Sequence, residues 1–130
     1  MNEIALPQAG WLAAAEALQS DTVALRRAIH AEPELGLQTP KTMAKVRAAL
    51  ADLPLEWKQG KSTTGAVAVL RGARPGRTVL LRGDMDALPM PEDTSLPFRS
   101  QVPGTMHACG HDTHTAMLAS AARALCARRG

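Results

Sequence analysis

The sequence is poor in aromatic residues, with two Trp, one Phe and no Tyr among 130 residues. A hydrophobic core in this chain must therefore be built from Leu, Val, Ala and Met. Because 45% of the residues are hydrophobic, the chain is predicted to be globular rather than disordered. Its length is enough for one small domain with a core of its own.

Cysteines and long apolar runs are also scarce. Cys109 and Cys126 are the only cysteines, which is too few for a disulfide framework. No apolar run approaches the ~18 residues of a membrane-spanning helix, so we expect no membrane partner. The N-terminus carries the acidic Glu3 and no basic segment, unlike a signal peptide. A cysteine close to histidines favours a reducing compartment, and we expect a cytoplasmic protein.

Charge of one sign is not concentrated anywhere. Lys and Arg together number 15 against 12 Asp and Glu, for a net charge of +3. The arginines are scattered and do not alternate with aromatic residues, as they do in many nucleic-acid-binding surfaces. We therefore expect no nucleic-acid partner.

One segment is rich in groups that bind metals, namely residues 106–114 (MHACGHDTH). It contains three of the four histidines, together with Cys109 and Asp112. Thiolate and imidazole are preferred ligands of zinc and its first-row neighbours. Cys109 and His111 are two residues apart, so an extended segment could direct both to one ion. The alternative is a polar loop that caps a helix, which the rarity of histidine elsewhere disfavours.

A pair of carboxylates, Asp84 and Asp86, follows an apolar run in the segment GDMDALP (residues 83–89). Sites in open α/β sheets lie beyond the carboxyl ends of strands. The pair could bind a metal directly or orient a ligand by hydrogen bonding. An Asx-type turn after a strand is the alternative, but the Cys/His segment that follows favours a site.

Three helices are predicted from periodicity and capping. The first covers residues 11–31, and the second starts with Thr39 as N-cap and Pro40 in the first turn and ends near Asp52. The third runs from about residue 113 to 128, capped by Asp112 or Thr113. In the connector of residues 30–39, we expect a helix C-cap for His30 and a solvated loop for Glu32 and Glu34.

Three strands are predicted at residues 55–58, 66–70 and 78–82. The second and third are apolar throughout, which indicates burial on both faces. The dipeptide Pro75-Gly76 between them predicts an antiparallel hairpin. Residues 89–105 contain four prolines, which exclude a helix or a central strand. We expect this loop to line the site, since it connects the Asp pair to the Cys/His segment.

Three segments, HAEPELG (30–36), GDMDALPMPEDTSLPF (83–98) and PGTMHACGHDTHTAML (103–118), carry a resemblance to a known family. They resemble the amino-terminal part of the aminoacylase/carboxypeptidase-type metallopeptidases. The nearest branch contains bacterial hippurate hydrolases, N-acyl-amino-acid amidohydrolases and plant auxin-conjugate hydrolases. The similarity extends from about Arg26 to about Ala124.

The resemblance implies an α/β catalytic domain of the zinc-peptidase type, with helices packed on a mixed sheet around two zinc or manganese ions. It implies that Cys109 and His111 bind metal and that Asp86 supports a ligand as part of the catalytic set. Asp84 stands where many relatives place a metal-binding His, and Asp84 and His114 are candidates for hydrogen bonding to the ligands. The implied reaction is hydrolysis of the amide bond of an N-acyl amino acid by a metal-activated water, with a Glu as general base.

The resemblance also implies that the general-base Glu, further ligands and a lid domain that often dimerises lie beyond Gly130. We therefore expect residues 1–130 to be the amino-terminal portion of the catalytic domain, inactive by itself and prone to form homo-oligomers. The alternative is a non-catalytic metal-binding or assembly module derived from such an enzyme.

Overall fold

The computed structural model describes residues 10–129, which form four α-helices and two β-strands. The prediction that concerns a leader at residues 1–9 lies outside the described residues. In chain order the elements are α1 (Trp11–Ala17), α2 (Gln19–Ala31), α3 (Pro40–Ala49), β1 (Glu56–Gln59), β2 (Ala66–Val69) and α4 (His111–Cys126). Within residues 10–129, no helix combines the length and hydropathy needed to cross a bilayer.

The first predicted helix is present but divided at Leu18, which separates α1 from α2. The buried Leu18 side chain lies at this break. The Leu18 N–H donates to the Ala14 and Ala15 carbonyls at 3.3 Å and 3.1 Å, and the Leu18 carbonyl accepts the Thr22 N–H at 2.9 Å and the Thr22 hydroxyl at 2.8 Å. The backbone hydrogen bonds therefore continue across the break, which is a local irregularity within the predicted helix.

Helix α4 packs against α2 through small residues, as its run of alanines predicts. Ala116 and Ala119 are almost fully buried on α4, and Ile29 is fully buried on α2. The hydroxyls of Thr22 and Ser120 lie 2.5 Å apart across this contact. Small side chains let the two helices approach closely, and their contact forms part of the core together with residues of α1 and α3.

Helix α3 starts at Pro40 with Thr39 at the N-cap position, as predicted, but the Thr39 side chain makes no capping hydrogen bond and Glu34 supplies it instead. The Glu34 carboxylate accepts hydrogen bonds from the backbone N–H of Lys41 at 3.1 Å and of Thr42 at 2.7 Å. It also accepts the Thr42 hydroxyl at 2.9 Å. The Thr39 hydroxyl is instead 3.0 Å from that of Thr64. The prediction of a solvated loop is therefore wrong for Glu34, whose carboxylate satisfies free N–H groups of the helix.

The sheet consists of β1 and β2, which pair in antiparallel fashion with Glu56 opposite Val69. These two strands match the predictions for residues 55–58 and 66–70, but burial on both faces is wrong, because Val67 is 51% exposed. The predicted strand 78–82 and its hairpin are also wrong. Residues 71–82 are exposed and have no regular structure. An apolar run meets the side-chain requirement of a strand, but among residues 10–129 no strand lies alongside this segment.

Two isolated bridges hold the segment around Ala87 in place. Ala87 forms a parallel bridge with Leu35, and Leu88 forms an antiparallel bridge with Met106. The Ala87 N–H donates to the Glu34 carbonyl at 2.8 Å. The carboxylate-bearing segment is thus tied both to the connector before α3 and to the segment before α4. Helices combined with a small sheet confirm the α/β class.

Replacing Glu34 by Ala should lower the free energy of unfolding by about 1–2 kcal/mol, the usual effect of losing a helix cap. The loss would also leave the fully buried Thr42 hydroxyl without its acceptor. Urea denaturation at neutral pH measures the difference.

Glu32→Ala is the matched control, since Glu32 pairs with Lys45 at the surface and has a side chain that is 44% exposed. Exposed ion pairs contribute little, so the control should lose much less. An equal loss in the two variants would show that Glu34 does not cap α3.

Candidate metal centre

The first turn of α4 meets residues 83–86 at very short range. A Cβ on Gly83 would lie 3.2 Å from both the His114 carbonyl oxygen and Leu118 Cδ2. The Thr115 hydroxyl donates to the Asp84 carbonyl at 2.5 Å. Gly83 therefore allows the close approach, and this approach brings Asp84 and Asp86 next to the histidines of α4.

Asp86 fixes the orientation of His111. The Nδ1 atom of His111 is 2.9 Å from the Asp86 carbonyl oxygen and 3.0 Å from its Oδ1. Both are acceptors when the carboxylate is ionised, so Nδ1 carries the proton. In the neutral ring this leaves a lone pair on Nε2, which lies 3.9 Å from Asp84 Oδ2. A carboxylate behind a histidine in this way is the usual support of a metal-binding imidazole.

His114 completes a group of three candidate ligands with Asp84 and His111. One ligand atom from each residue lies within 4.8 Å of the others. His114 Nδ1 is 3.0 Å from Asp84 Oδ1, and its ring stacks on that of His111 with centroids 5.6 Å apart. The hydrogen bond with His114 is the main cause that lowers the pKa of Asp84 below its usual value, helped by the charges of His111 and Arg82.

These three residues fit a divalent ion of the first transition row. Imidazole nitrogen and carboxylate oxygen are both common ligands of zinc and manganese. The unprotonated Nε2 of His111 faces the ionised carboxylate of Asp84. Both groups could coordinate such an ion in place of their contact with each other. The site lies at the surface, where the side chains of Asp84 and His111 are about one-fifth exposed.

Cys109 is close to His111 in sequence, but in the structure it is not part of this group of three. Cys109 is exposed and free. It is followed by Gly110, whose φ of 87° is a left-handed conformation that favours glycine. Its role as a metal ligand stays a prediction. Asp86 and His111 are brought together directly, and Asp84 and His114 join them.

Asp112 does not cap α4, contrary to the sequence-based expectation. Gly110 is the N-cap, and the Asp112 side chain is fully buried in the first turn. Its Oδ2 atom lies 2.7 Å from His30 Nδ1 and 2.8 Å from Arg26 Nε. His30 is likewise buried rather than a C-cap. The error has a simple cause, because a buried charge needs buried partners, and α2 supplies them.

The proline-containing loop reaches this buried network through Glu92. His30 Nε2 lies 3.1 Å from Glu92 Oε1, and the Glu92 side chain is only 2% exposed. Burial opposes its ionisation, but hydrogen bonds from the Ser100 N–H, the Thr94 hydroxyl and His30 prevail and lower the pKa of Glu92 to about 2. Residues 89–105 contain no helix or strand, as predicted. The loop contacts His30 rather than the group of three.

His107 is a second buried histidine beside this network. Its side chain is 3% exposed, and its two ring nitrogens have no hydrogen-bond partner within residues 10–129. The ring centroid is 6.3 Å from that of His30. Burial is the main cause that lowers the pKa of His107, with Asp112 opposing it. Burial therefore disfavours the charged form of the His107 ring.

Comparison with known proteins connects this geometry to a family. The model of peptidase family M20/M25/M40 matches residues 80–130. The chain is 50% identical over 97 residues to thermostable carboxypeptidase 1 of Saccharolobus solfataricus, covering 74% of this chain and 25% of that protein. It is 44% identical over 106 residues to an N-acyl-L-amino acid amidohydrolase of Geobacillus stearothermophilus, covering 82% and 29%.

A solved structure shows the same fold. The YXEP protein of Bacillus subtilis, described as a dinuclear metal binding peptidase of the M20 family, superposes with a TM-score of 0.83 at 40% identity. The match covers 88% of this chain and 33% of that one. The chain thus spans about a quarter to a third of the relatives it matches. These similarities confirm the resemblance seen in the sequence.

The low pKa of Glu92 predicts an acid-dependent loss of stability. Its folded pKa of about 2 lies below the ordinary glutamate value of 4.5, so the unfolded chain binds more protons between these values. The contribution is complete above pH 4.5 and is lost as the pH falls towards 2. Its size is at most about 3 kcal/mol. Glu92→Gln should lower stability at neutral pH and flatten the stability curve across this range.

Urea unfolding at a series of pH values from 2 to 7 measures this dependence. Asp93→Asn, which changes an exposed carboxyl on the same loop, is the control and should keep the wild-type slope. A Glu92→Gln variant with an unchanged slope would show that the buried hydrogen bonds do not stabilise the ionised carboxylate.

Proposed function

The chain belongs to peptidase family M20/M25/M40, and from this membership we propose that it forms the amino-terminal portion of a metal-dependent amidohydrolase. The proposed reaction is hydrolysis of the amide bond of N-acyl amino acids. The observation that carries the proposal is the orientation of His111, whose Nδ1 is held by Asp86 while Nε2 stays open towards Asp84.

The proposed ligands within this chain are Cys109 and His111. Asp86 positions His111, and Asp84 and His114 hydrogen-bond each other beside it. A thiolate and an imidazole favour zinc, whereas carboxylate ligands suit manganese as well. A divalent metal is supported by the match to a dinuclear metal-binding peptidase. Zinc or manganese in a two-metal centre is our proposal for the whole protein.

A bound divalent metal polarises a carbonyl group and lowers the pKa of a water, the two requirements of amide hydrolysis at neutral pH. The residues of this chain contribute orientation and charge. Asp86 holds the proton on Nδ1 of His111, so that the ring presents Nε2 without a change of tautomer. The ionised Asp84 adds negative charge that favours a cation at this surface.

Several features of the whole protein stay proposals. They are a domain order in which residues 1–130 precede the rest of the catalytic domain and a lid, a cytoplasmic location, and a homo-oligomeric state. A small-molecule amide is the proposed substrate class, in keeping with the similarity to an N-acyl-L-amino acid amidohydrolase and an N-acetylcysteine deacetylase. No Glu in these 130 residues matches the general base implied by the resemblance.

Cobalt binding tests the proposed ligands. The wild-type protein should show thiolate-to-cobalt charge-transfer absorption, and Cys109→Ser should lose it. Cys126→Ser is the matched control, since Cys126 is the other cysteine, lies near the end of α4 and should leave the spectrum intact. An unchanged spectrum in Cys109→Ser would remove Cys109 from the site.

Replacing Asp86 by Asn should weaken cobalt binding about 10–100-fold, because it removes the carboxylate that orients His111. Cobalt titration of this variant beside the wild type measures the change.

A turnover assay tests the proposal that residues 1–130 supply metal ligands but no general base. Residues 1–130 alone, loaded with zinc or manganese, should not hydrolyse N-acetyl or N-benzoyl amino acids above background, because no general base is supplied. Amine release measured by a ninhydrin assay checks this expectation. Turnover that disappears in His111→Ala would show that these residues contain a complete catalytic set. Metal binding without turnover in a longer natural chain would favour a non-catalytic module.

A further inference from the structure

His30 joins two buried carboxylates that belong to different parts of the chain. Its Nδ1 lies 2.7 Å from Asp112 Oδ2, and its Nε2 lies 3.1 Å and 3.2 Å from the two oxygens of Glu92. The three side chains are at most 3% exposed. An ionised carboxylate can only accept hydrogen bonds, so each ring nitrogen of His30 faces an acceptor. Its ring also packs edge-on against Phe98, with centroids 5.5 Å apart.

The burial of His30 excludes direct contact with a substrate, and its position points to a different role. Asp112 follows His111 directly in the first turn of α4. Successive residues of a helix project about 100° apart, so Asp112 points into the core while His111 points towards Asp86. Holding the Asp112 carboxylate therefore fixes the rotation of this turn about the helix axis. A buried charge leaves its partners only at a high free-energy cost, so little rotation is allowed.

We propose that His30 is a positioning residue for the metal centre. By binding Asp112 it holds the first turn of α4 at the rotation in which His111 Nδ1 meets Asp86 and Nε2 faces Asp84. By binding Glu92 it ties residues 89–105 to the same turn. The consequence for metal binding rests on the proposed function, since it requires His111 to be a ligand.

The main experiment compares His30→Gln with the wild-type protein. A glutamine amide reaches one carboxylate but cannot bridge two. Cobalt affinity should fall about 10-fold, the lower end of the effect of removing a residue that orients a ligand, and the visible cobalt bands should shift. Thermal unfolding is measured on the same samples. Wild-type affinity and bands in folded His30→Gln would overturn the proposal, whatever its stability.

Asp52→Asn is the matched control for stability. Asp52 binds Arg123 with distances of 2.8 Å and 2.7 Å, so this variant loosens the opposite half of α4. It should lower the unfolding temperature but keep cobalt affinity within about twofold of the wild type. If Asp52→Asn weakens cobalt binding as much as His30→Gln, the effect is general destabilisation and the proposal fails.

Glu92→Gln is the second test variant, to be used if His30→Gln does not fold. It keeps the bond between His30 and Asp112 and weakens only the outer half of the bridge, so a loss of several-fold in cobalt affinity is expected. Wild-type binding by this variant would then overturn the proposal.

Imidazole ¹⁵N NMR of the metal-free protein separates this proposal from the proposed function. The wild-type spectrum should show His111 protonated at Nδ1, and His30→Gln should show a mixture of tautomers. If the wild-type protein binds no cobalt, the proposed function fails while this spectrum still tests the positioning. If His111 is protonated only at Nδ1 in His30→Gln, the proposal that His30 positions the metal centre is overturned.

Discussion

The fully buried carboxylate of Asp112 is the constraint on which the rest of the structure depends. A desolvated charge of this kind is tolerated only with close partners of opposite charge or good donors. Arg26 and His30 provide them from one face of α2. Helices α2 and α4 must therefore pack with these faces opposed. The small residues of α4 make that approach sterically feasible, so packing and electrostatics select the same arrangement.

This arrangement separates two polar clusters that are adjacent in sequence. His111 and His114 are three residues apart and share one face of α4, which is turned towards Asp84 and Asp86. Asp112 lies on the other face and joins the buried network with His30. One cluster is partly exposed and able to receive a cation, whereas the other is closed. The helix converts a single short motif into one site at the surface and one anchor in the core.

Features that depend on local pattern could be predicted from the sequence. Features that are determined by contacts between residues far apart in the chain could not. Helices at residues 11–31 and from Pro40 follow from periodicity and capping, whereas the role of Asp86 in supporting a ligand was implied by the family resemblance and not by the residue pattern alone. The assignment of Asp112 as a cap failed, because a capping residue and a buried anion look alike in sequence. The strand at residues 78–82 failed because an apolar run does not specify its pairing partner. The bonds from His30 to Asp112 and Glu92 span 82 and 62 residues, beyond any local signal.

The segment HAEPELG contributes to the metal centre without supplying any residue of the group of three. At its start, His30 holds the turn that carries His111. Near its end, the Glu34 carboxylate caps α3 and the Glu34 carbonyl binds the Ala87 N–H next to Asp86. The two halves of the pair formed by His111 and Asp86 are thus anchored from the same short segment. A displacement of this connector would move both halves, so its separation in sequence from the candidate ligands does not make it independent of them.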